Sequence, residues 1–375
     1  GGALSRMSIF ALNIMPYISA AIILQLLAAV NPALEQIKKE GVAGRMKMNQ
    51  YTRYLTVAIG TLQSLGIATG LQTATASNGA SVVTNPGIFF IFTAVITLVS
   101  GTMFLVWLGE QISDRGIGQG ISLLIFSGII AGLPGGLVNM LELGRTGAIS
   151  LIVLFLFAVG AVAMIAGIVF IENAQRRVLV QYPKRQQGNK MFGGENSHIP
   201  LKINTAGVIP PIFASSILLL PLTITGFQQG GGEGIMGTIS VLMGRGQPLY
   251  MVLYSSAIIF FAFFYTALVF NPHDTADNLR KYGGFVPGIR PGKNTGDYLD
   301  YVLTRLTLVG GLYLTVVCLV PEYLISQFSF PFYFGGTSLL IVVNVTLSTM
   351  QQVQAHLLAH QYEGLLKKSR LRGRR

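Results

Sequence analysis

Charge is scarce in this sequence, and it is missing from the places where a membrane pump would need it. Only 11% of the 375 residues are Asp, Glu, Lys or Arg. None lies in the middle of any of nine long apolar stretches that divide the chain. Proton and ion relays need ionisable groups at membrane depth, so their absence argues against an ion-coupled pump and against an intramembrane aspartyl protease. The single cysteine, Cys318, sits inside an apolar stretch and excludes an internal disulfide. Of four histidines, His356 and His360 are four residues apart but lack the glutamate of a zinc-protease motif. They read as ordinary residues near the end of the last helix. Gly116-Ile117-Gly118-Gln119-Gly120 has no strand ahead of it and reads as a turn between spans, not a nucleotide loop. No metal, cofactor or nucleophile constellation is expected, so the chain does not read as an enzyme.

What the chain does contain is apolar length. Hydrophobic residues make up 51%. Each stretch is about 20 residues, the length a helix needs to cross the hydrocarbon. The expected spans are Met7–Val30, Tyr51–Leu71, Ile88–Leu108, Gly120–Met140, Ser150–Ile171, Asn204–Gly226, Pro248–Phe270, Val302–Ile325 and Gly335–His360. Pro16, Pro134, Pro210-Pro211 and Pro221 are expected to interrupt spans, because proline removes a helix hydrogen bond. The class is therefore an all-α polytopic membrane protein.

The basic residues alternate with these spans. All 26 Lys and Arg except Arg6, Arg145 and Arg245 fall in every second gap or in the tail from Gln361 to Arg375. Lys and Arg stay on the cytoplasmic face of polytopic proteins, so the tail and these gaps are predicted to lie inside and the first residues outside. The net charge of +12 reads first as topology and attraction to anionic lipid headgroups. Two basic gaps are too long for minimal turns: 172–203, with Arg176, Arg177, Lys184, Arg185 and Lys190, and 271–301, with Arg290. Both are candidate docking surfaces. Arg290 has proline and glycine on each side, which fixes a projecting loop suited to bidentate contacts with carboxylate or phosphate.

Several blocks, in order along the chain, resemble the SecY family of protein-conducting channels. They are Gly2-Ala3-Leu4-Ser5-Arg6, Ile14-Met15-Pro16-Tyr17-Ile18-Ser19, Gln50-Tyr51-Thr52-Arg53-Tyr54, Arg115-Gly116-Ile117-Gly118 and Gly207-Val208-Ile209-Pro210 running into Ile212-Phe213-Ala214-Ser215-Ser216. Asn271-Pro272 with Ala276-Asp277-Asn278-Leu279, the run from Phe285 to Gly292, and Phe334-Gly335-Gly336-Thr337-Ser338-Leu339-Leu340-Ile341 complete the set. The resemblance implies ten spanning helices, of which this chain holds the second to tenth; it reads as lacking its amino-terminal part, with the first helix and most of the plug segment.

The resemblance further implies roles. Ile14, Ile18, Ile121, Ile125, Ile212 and Thr346 would form a pore ring that seals an hourglass pore by dewetting. Thr346 departs from the usual aliphatic residue. Ser19, Ile22 and Gln63 would face Ser216, Ile217 and Leu220 across a lateral gate. Leu220 replaces a bulkier or polar gate residue. The division would be 1–149, the remainder of an N-terminal half, and 150–375, the C-terminal half. Implied partners are the SecE and SecG subunits, the SecA motor, the ribosome, signal sequences and unfolded polypeptide, with anionic lipids around them, in a bacterial cytoplasmic membrane. The rival reading is a secondary transporter of a small solute, which broken helices fit. The missing intramembrane charges and the large basic loops count against it.

Overall fold

Proline stands in the first turn of five of the eleven described helices, and asparagine caps two of them. The computed structural model describes residues 8–73, 83–147, 150–183, 185–187, 190–192, 196–227, 247–328 and 335–372. In chain order the helices are α1 (Met15–Val30), α2 (Pro32–Lys39), α3 (Val42–Thr73), α4 (Ile88–Arg115), α5 (Gly120–Arg145) and α6 (Leu151–Asn173). Four strands follow: β1 (Gln175–Gln181), β2 (Arg185–Gln187), β3 (Lys190–Phe192) and β4 (Asn196–Lys202). Then come α7 (Ile209–Phe227), α8 (Pro248–Val269), α9 (Pro272–Lys281), α10 (Lys293–Phe328) and α11 (Gly336–Arg372).

Each of the nine expected stretches carries a helix. Among the described residues six helices are long and apolar enough to cross a membrane, and α1 with α2 forms a further pair bent by 109°. Five helices run five or more residues beyond their expected spans. α3 starts at Val42, α4 runs on to Arg115, α5 to Arg145, α10 starts at Lys293 and α11 runs to Arg372. All of these extensions except that of α5 lie at an end that carries a basic gap or the basic tail. The 36 residues of α10 measure about 54 Å at helical rise, against about 30 Å of hydrocarbon. Periodicity of hydrophobic length finds only the part in lipid; the polar continuation is still helix.

Three of the expected proline breaks are helix starts. Pro16 lies in the first turn of α1, and Pro210 and Pro211 in the first turn of α7. A first-turn proline forfeits an N–H that has no helical partner anyway. Pro134 lies within α5, as expected, and Pro321 lies within α10. Pro221 is within α7, where its side chain falls outside the described set.

Two Asn-Pro pairs turn corners. Asn31 ends α1 and caps α2, its side-chain oxygen accepting from the Ala33 N–H at 3.0 Å. Asn271 does the same between α8 and α9, accepting from His273 at 3.1 Å. Asparagine supplies the cap and proline the first helical position.

The chain divides into two compact units. One comprises Gly1–Glu142, Leu219–Ser240 and Ile341–Arg375; the other comprises Leu143–Leu218 and Val241–Leu340. Within the first, α1 packs on α3 and α3 on α4. A bidentate ion pair joins Arg53 to Glu110, with Nε to Oε1 at 3.0 Å and Nη2 to Oε2 at 2.5 Å. The α4–α5 turn meets α11, where the Gly118 N–H donates to Gln352 Oε1 at 2.7 Å. Within the second unit, α8 and α9 pack on α10.

α5 approaches α4 most closely at Gly120, where an added Cβ would overlap the Gly109 carbonyl oxygen. Gly120→Ala should therefore force the two helices apart, costing about 1–3 kcal/mol as overpacking does. Thermal unfolding of the purified protein in detergent should show a lowered midpoint; an unchanged midpoint would mean that the contact is not constraining.

Candidate functional site

The long basic gap after α6 folds into two hairpins. β1 reads Gln-Arg-Arg-Val-Leu-Val-Gln, with alternate Val178 and Val180 buried and Arg176 and Arg177 exposed. A strand with one face packed and one solvated reads this way. β1 pairs antiparallel with β4 from Gln175↔Lys202 through Val178↔Ile199 to Gln181↔Asn196. β2 and β3 pair from Arg185↔Phe192 to Gln187↔Lys190. The hairpin is fastened at its root, where the Ile203 N–H donates to the Ala174 carbonyl at 3.2 Å. Asn204 Nδ2 donates to Glu172 Oε1 at 2.6 Å and to the Gly207 carbonyl at 3.1 Å. Glu172 and Asn204 are both buried, so each supplies the partner that burial requires of the other.

The second basic loop is bolted onto the first. Gln181 and Phe285 exchange two backbone hydrogen bonds, at 2.9 and 3.0 Å. Beneath them Val178, Val180, Leu201, Val286, Leu299 and Val302 form one apolar core. β1, β4, the 285–292 loop and the start of α10 are therefore a single folded module. Pure positional homology to a surface loop would not need such a core.

Arg290 projects from this module between two Pro-Gly turns. In the first, Val286-Pro287-Gly288-Ile289, the Ile289 N–H donates to the Val286 carbonyl at 3.1 Å, and Gly288 has φ +82°. Proline followed by a positive-φ glycine is the type II signature. In the second, Arg290-Pro291-Gly292, the glycine has φ +105°. The Arg290 carbonyl accepts from Thr295 Oγ1 at 3.0 Å. The Arg290 side chain is exposed and forms no ion pair among the described residues. Around it Arg280, Lys281 and Lys293 are exposed too. Arg305, by contrast, is committed to the Tyr301 ring, 4.2 Å from its centroid.

Of the other expected docking residues, Lys184 lies outside the described residues. Arg185 and Lys190 lie in β2 and β3, with side chains outside the described set.

The expected ring residues fall in both units. Ile14 is buried at the N-cap of α1, just after Asn13, whose φ of 53° is left-handed and whose side chain accepts from the Ile14 N–H at 2.9 Å. Ile18 stands one turn on and is half-buried. Ile121 and Ile125 are one turn apart on α5, both half-buried, and Ile121 packs against Gly109. Thr346 on α11 is exposed and lines a groove of about 290 Å³ with Leu123, Phe126, Val345, Thr349 and Met350. Its hydroxyl donates to the Val342 carbonyl at 2.7 Å, so its proton is spent within its own helix. Ile212, half-buried, belongs to the other unit.

Gate residues divide likewise. Ser19 and Gln63 are half-buried and Ile22 is buried, all in the first unit. Ser216 and Ile217 on α7 belong to the second. Ile217 is exposed, whereas Ser216 Oγ is buried with no hydrogen-bond partner among the described residues. The Leu220 side chain lies outside the described set.

Comparison with known proteins settles the family. The sequence matches the SecY family over residues 8–350. The chain belongs to the SecY family. Protein translocase subunit SecY of Escherichia coli strain K12 is 58% identical over 374 residues, which cover 100% of this chain and 84% of the relative. The corresponding subunit of Rickettsia conorii is 55% identical over 372 residues, covering 99% and 86%. The fold matches a solved protein-conducting channel at TM-score 0.63 and 19% identity, covering 92% of this chain and 81% of that one. It also matches Sec61 in a canine ribosome–channel complex at TM-score 0.60 and 18% identity, covering 92% and 81%. The chain is thus a multi-pass, helical channel-type membrane protein.

Sequence reasoning picked out Arg290 but not what holds it. Thr295, the Gln181–Phe285 bridge and the Glu172–Asn204 clasp were all missed. Only the alternation in Arg176–Gln181 offered a signal for a strand; the other features depend on contacts between distant segments.

Leu299 is wholly buried at the centre of the module core. Leu299→Ala should cost about 2–5 kcal/mol of module stability. Limited proteolysis should then cut within 175–202 and 282–292 at conditions the parent withstands, while membrane insertion stays parental. Equal protease resistance would show that the two loops do not share a core.

Proposed function

We propose that this chain is the channel-forming subunit of a bacterial translocon. It passes secretory polypeptides across the cytoplasmic membrane and releases membrane segments laterally into it. The observation that carries this reading is the match to a translocase subunit at 58% identity over 100% of this chain and 84% of the relative. A small-solute transporter is not favoured by any of these relatives.

In this reading 1–149 and 150–375 are the two halves of the channel, and the chain is a passive conduit driven by partners. Ile14, Ile18, Ile121, Ile125, Ile212 and Thr346 form the constriction. The commitment of the Thr346 hydroxyl to Val342 supports its place there, since a satisfied hydroxyl holds water less firmly. Ser19, Ile22 and Gln63 meet Ser216, Ile217 and Leu220 at the lateral gate. The Ser216 hydroxyl, without a partner among the described residues, is the kind of group that would bond weakly across such a seam, worth about 1 kcal/mol.

The two basic loops, with Arg176, Arg177, Lys184, Arg185, Lys190 and Arg290, face the cytoplasm and receive the SecA motor or the ribosome. A structural neighbour in a ribosome–channel complex supports the second partner. SecE and SecG complete the assembly, signal sequences and unfolded chains are its cargo, and anionic lipids bind the basic rim. No catalytic residue, cofactor or metal is assigned.

Arg290→Glu tests the docking role. It replaces attraction by repulsion at the contact, and motor-dependent transport of a secretory precursor into vesicles should fall by about tenfold or more. A headgroup role alone predicts a several-fold effect at most, since one basic residue contributes about 1 kcal/mol of lipid attraction. Near-parental transport at equal channel content removes Arg290 from the docking surface.

Ile18→Asn in the full-length protein tests the ring. A polar side chain holds water where an aliphatic one excludes it. Ion leak and acceptance of defective signal sequences should both rise. Parental leak in a correctly folded variant would place Ile18 off the constriction.

A further inference from the structure

We propose that Thr295 is the positioning residue for Arg290: a buried hydroxyl on α10 sets the aim of a guanidinium it does not touch. The inference rests on the reading of Arg290 as a docking residue. The two turns that flank Arg290 are closed differently. The first is closed by the backbone, Ile289 N–H to Val286 carbonyl. The second has no such bond from Lys293 among the described residues. Its carbonyl, that of Arg290 itself, is held by the Thr295 hydroxyl at 3.0 Å.

Thr295 holds the same segment a second time, its N–H donating to the Gly292 carbonyl at 3.0 Å. One residue therefore ties both ends of Arg290-Pro291-Gly292. Pro291 carries no N–H, and the Gly296 N–H, which also donates to the Gly292 carbonyl at 3.1 Å, fastens only the far end of the turn, so the Arg290 end is left to the Thr295 hydroxyl. A threonine hydroxyl in the first turns of a helix usually accepts from a helix N–H or bonds back within the helix. Here it donates out of the helix, five residues backward. Thr295 is 2% exposed, so its rotamer is held by packing and the bond persists without competition from water.

The consequence is preorganisation. With the carbonyl fixed, the Cα–Cβ direction of Arg290 is fixed, and docking spends little free energy on ordering the tip. Release the hydroxyl, and Gly292 lets the tip swing.

The test uses the full-length channel complex in lipid nanodiscs and purified, non-translating bacterial ribosomes as the probe. Thr295→Val keeps shape and burial and removes the donor. Binding should weaken by about fivefold, the scale of one lost hydrogen bond. Thr295→Ser should bind within about twofold of the parent, because the donor is retained. In an Arg290→Ala background Thr295→Val should have no further effect. The slope of log affinity against log salt should fall in Thr295→Val as it does in Arg290→Ala, a change that a purely structural role would not produce.

Three results overturn the proposal. Thr295→Val binding like the parent with its fold intact does so directly. A full further loss in the Arg290→Ala background shows that Thr295 acts elsewhere. Parental binding by Arg290→Ala itself overturns the docking reading, and the positioning role with it. If the valine variant melts early, the serine and cysteine variants carry the test, being similar in size but strong and weak donors: equal affinities for those two would sink the idea.

Discussion

A backbone amide in hydrocarbon must find its partner within the chain, because lipid tails offer none. The apolar stretches of this sequence meet that demand as helices. Their polar side chains meet it locally as well. The hydroxyls of Thr52, Thr56, Ser64, Thr307 and Thr315 each donate to the carbonyl four residues back, at 2.5–2.9 Å. Where a helix must stop, the stop is chemically furnished: Asn31 and Asn271 cap the next helix in the same step that ends the last one. A bundle satisfied in this way needs no charge in the middle of its spans; the Arg53–Glu110 pair that joins α3 to α4 sits at the edge of theirs.

The same constraint is relaxed at the water-facing ends, and among the described residues strand structure appears only there. Between α6 and α7 the chain makes a hairpin whose backbone pairs with itself, and the loop after α9 joins through Gln181 and Phe285. Arg176, Arg177 and Arg290 stand on this frame. In the proposed docking role, two contributions to recognition are thereby separated. The apolar core of Val178, Val180, Leu201, Val286, Leu299 and Val302 carries stability, and the exposed guanidinium and ammonium groups carry the charge. Charge on a rigid support gives specificity and association rate more than raw affinity.

Much of this was legible in the amino-acid sequence, for identifiable reasons. Apolar runs of membrane length gave the helices, since length and composition are one-dimensional properties. Pro287-Gly288 and Pro291-Gly292 gave the fixed loop, because turn chemistry is local. Reach was not legible: Val42, Arg115, Lys293 and Arg372 mark helix ends in polar sequence, where hydrophobicity has nothing to say. Pro16, Pro210 and Pro211 were expected as kinks and are starts, because a proline's effect depends on its position in the helix and not on its presence. The hairpin was hidden by its charge. Arg176 and Arg177 masked the Val178–Val180 alternation that makes β1 a strand. Thr295 was invisible, because nothing in the sequence says that a helix-start hydroxyl will point backward.

The Gln181–Phe285 bridge also imposes an order of events on biosynthesis. Its two halves are about 100 residues apart, and α7 and α8 lie between them. At roughly 5–20 residues per second the first hairpin waits on the order of 5–20 seconds for its cover. During that interval the faces of Val178, Val180 and Leu201 are open to water. They can close only once two further helices have been threaded and Val286, Leu299 and Val302 have emerged on the same side. A nascent chain whose α7 or α8 failed to insert would leave that apolar patch bare. The bridge is thus a record of correct threading of α7 and α8, written in a contact that cannot form before them.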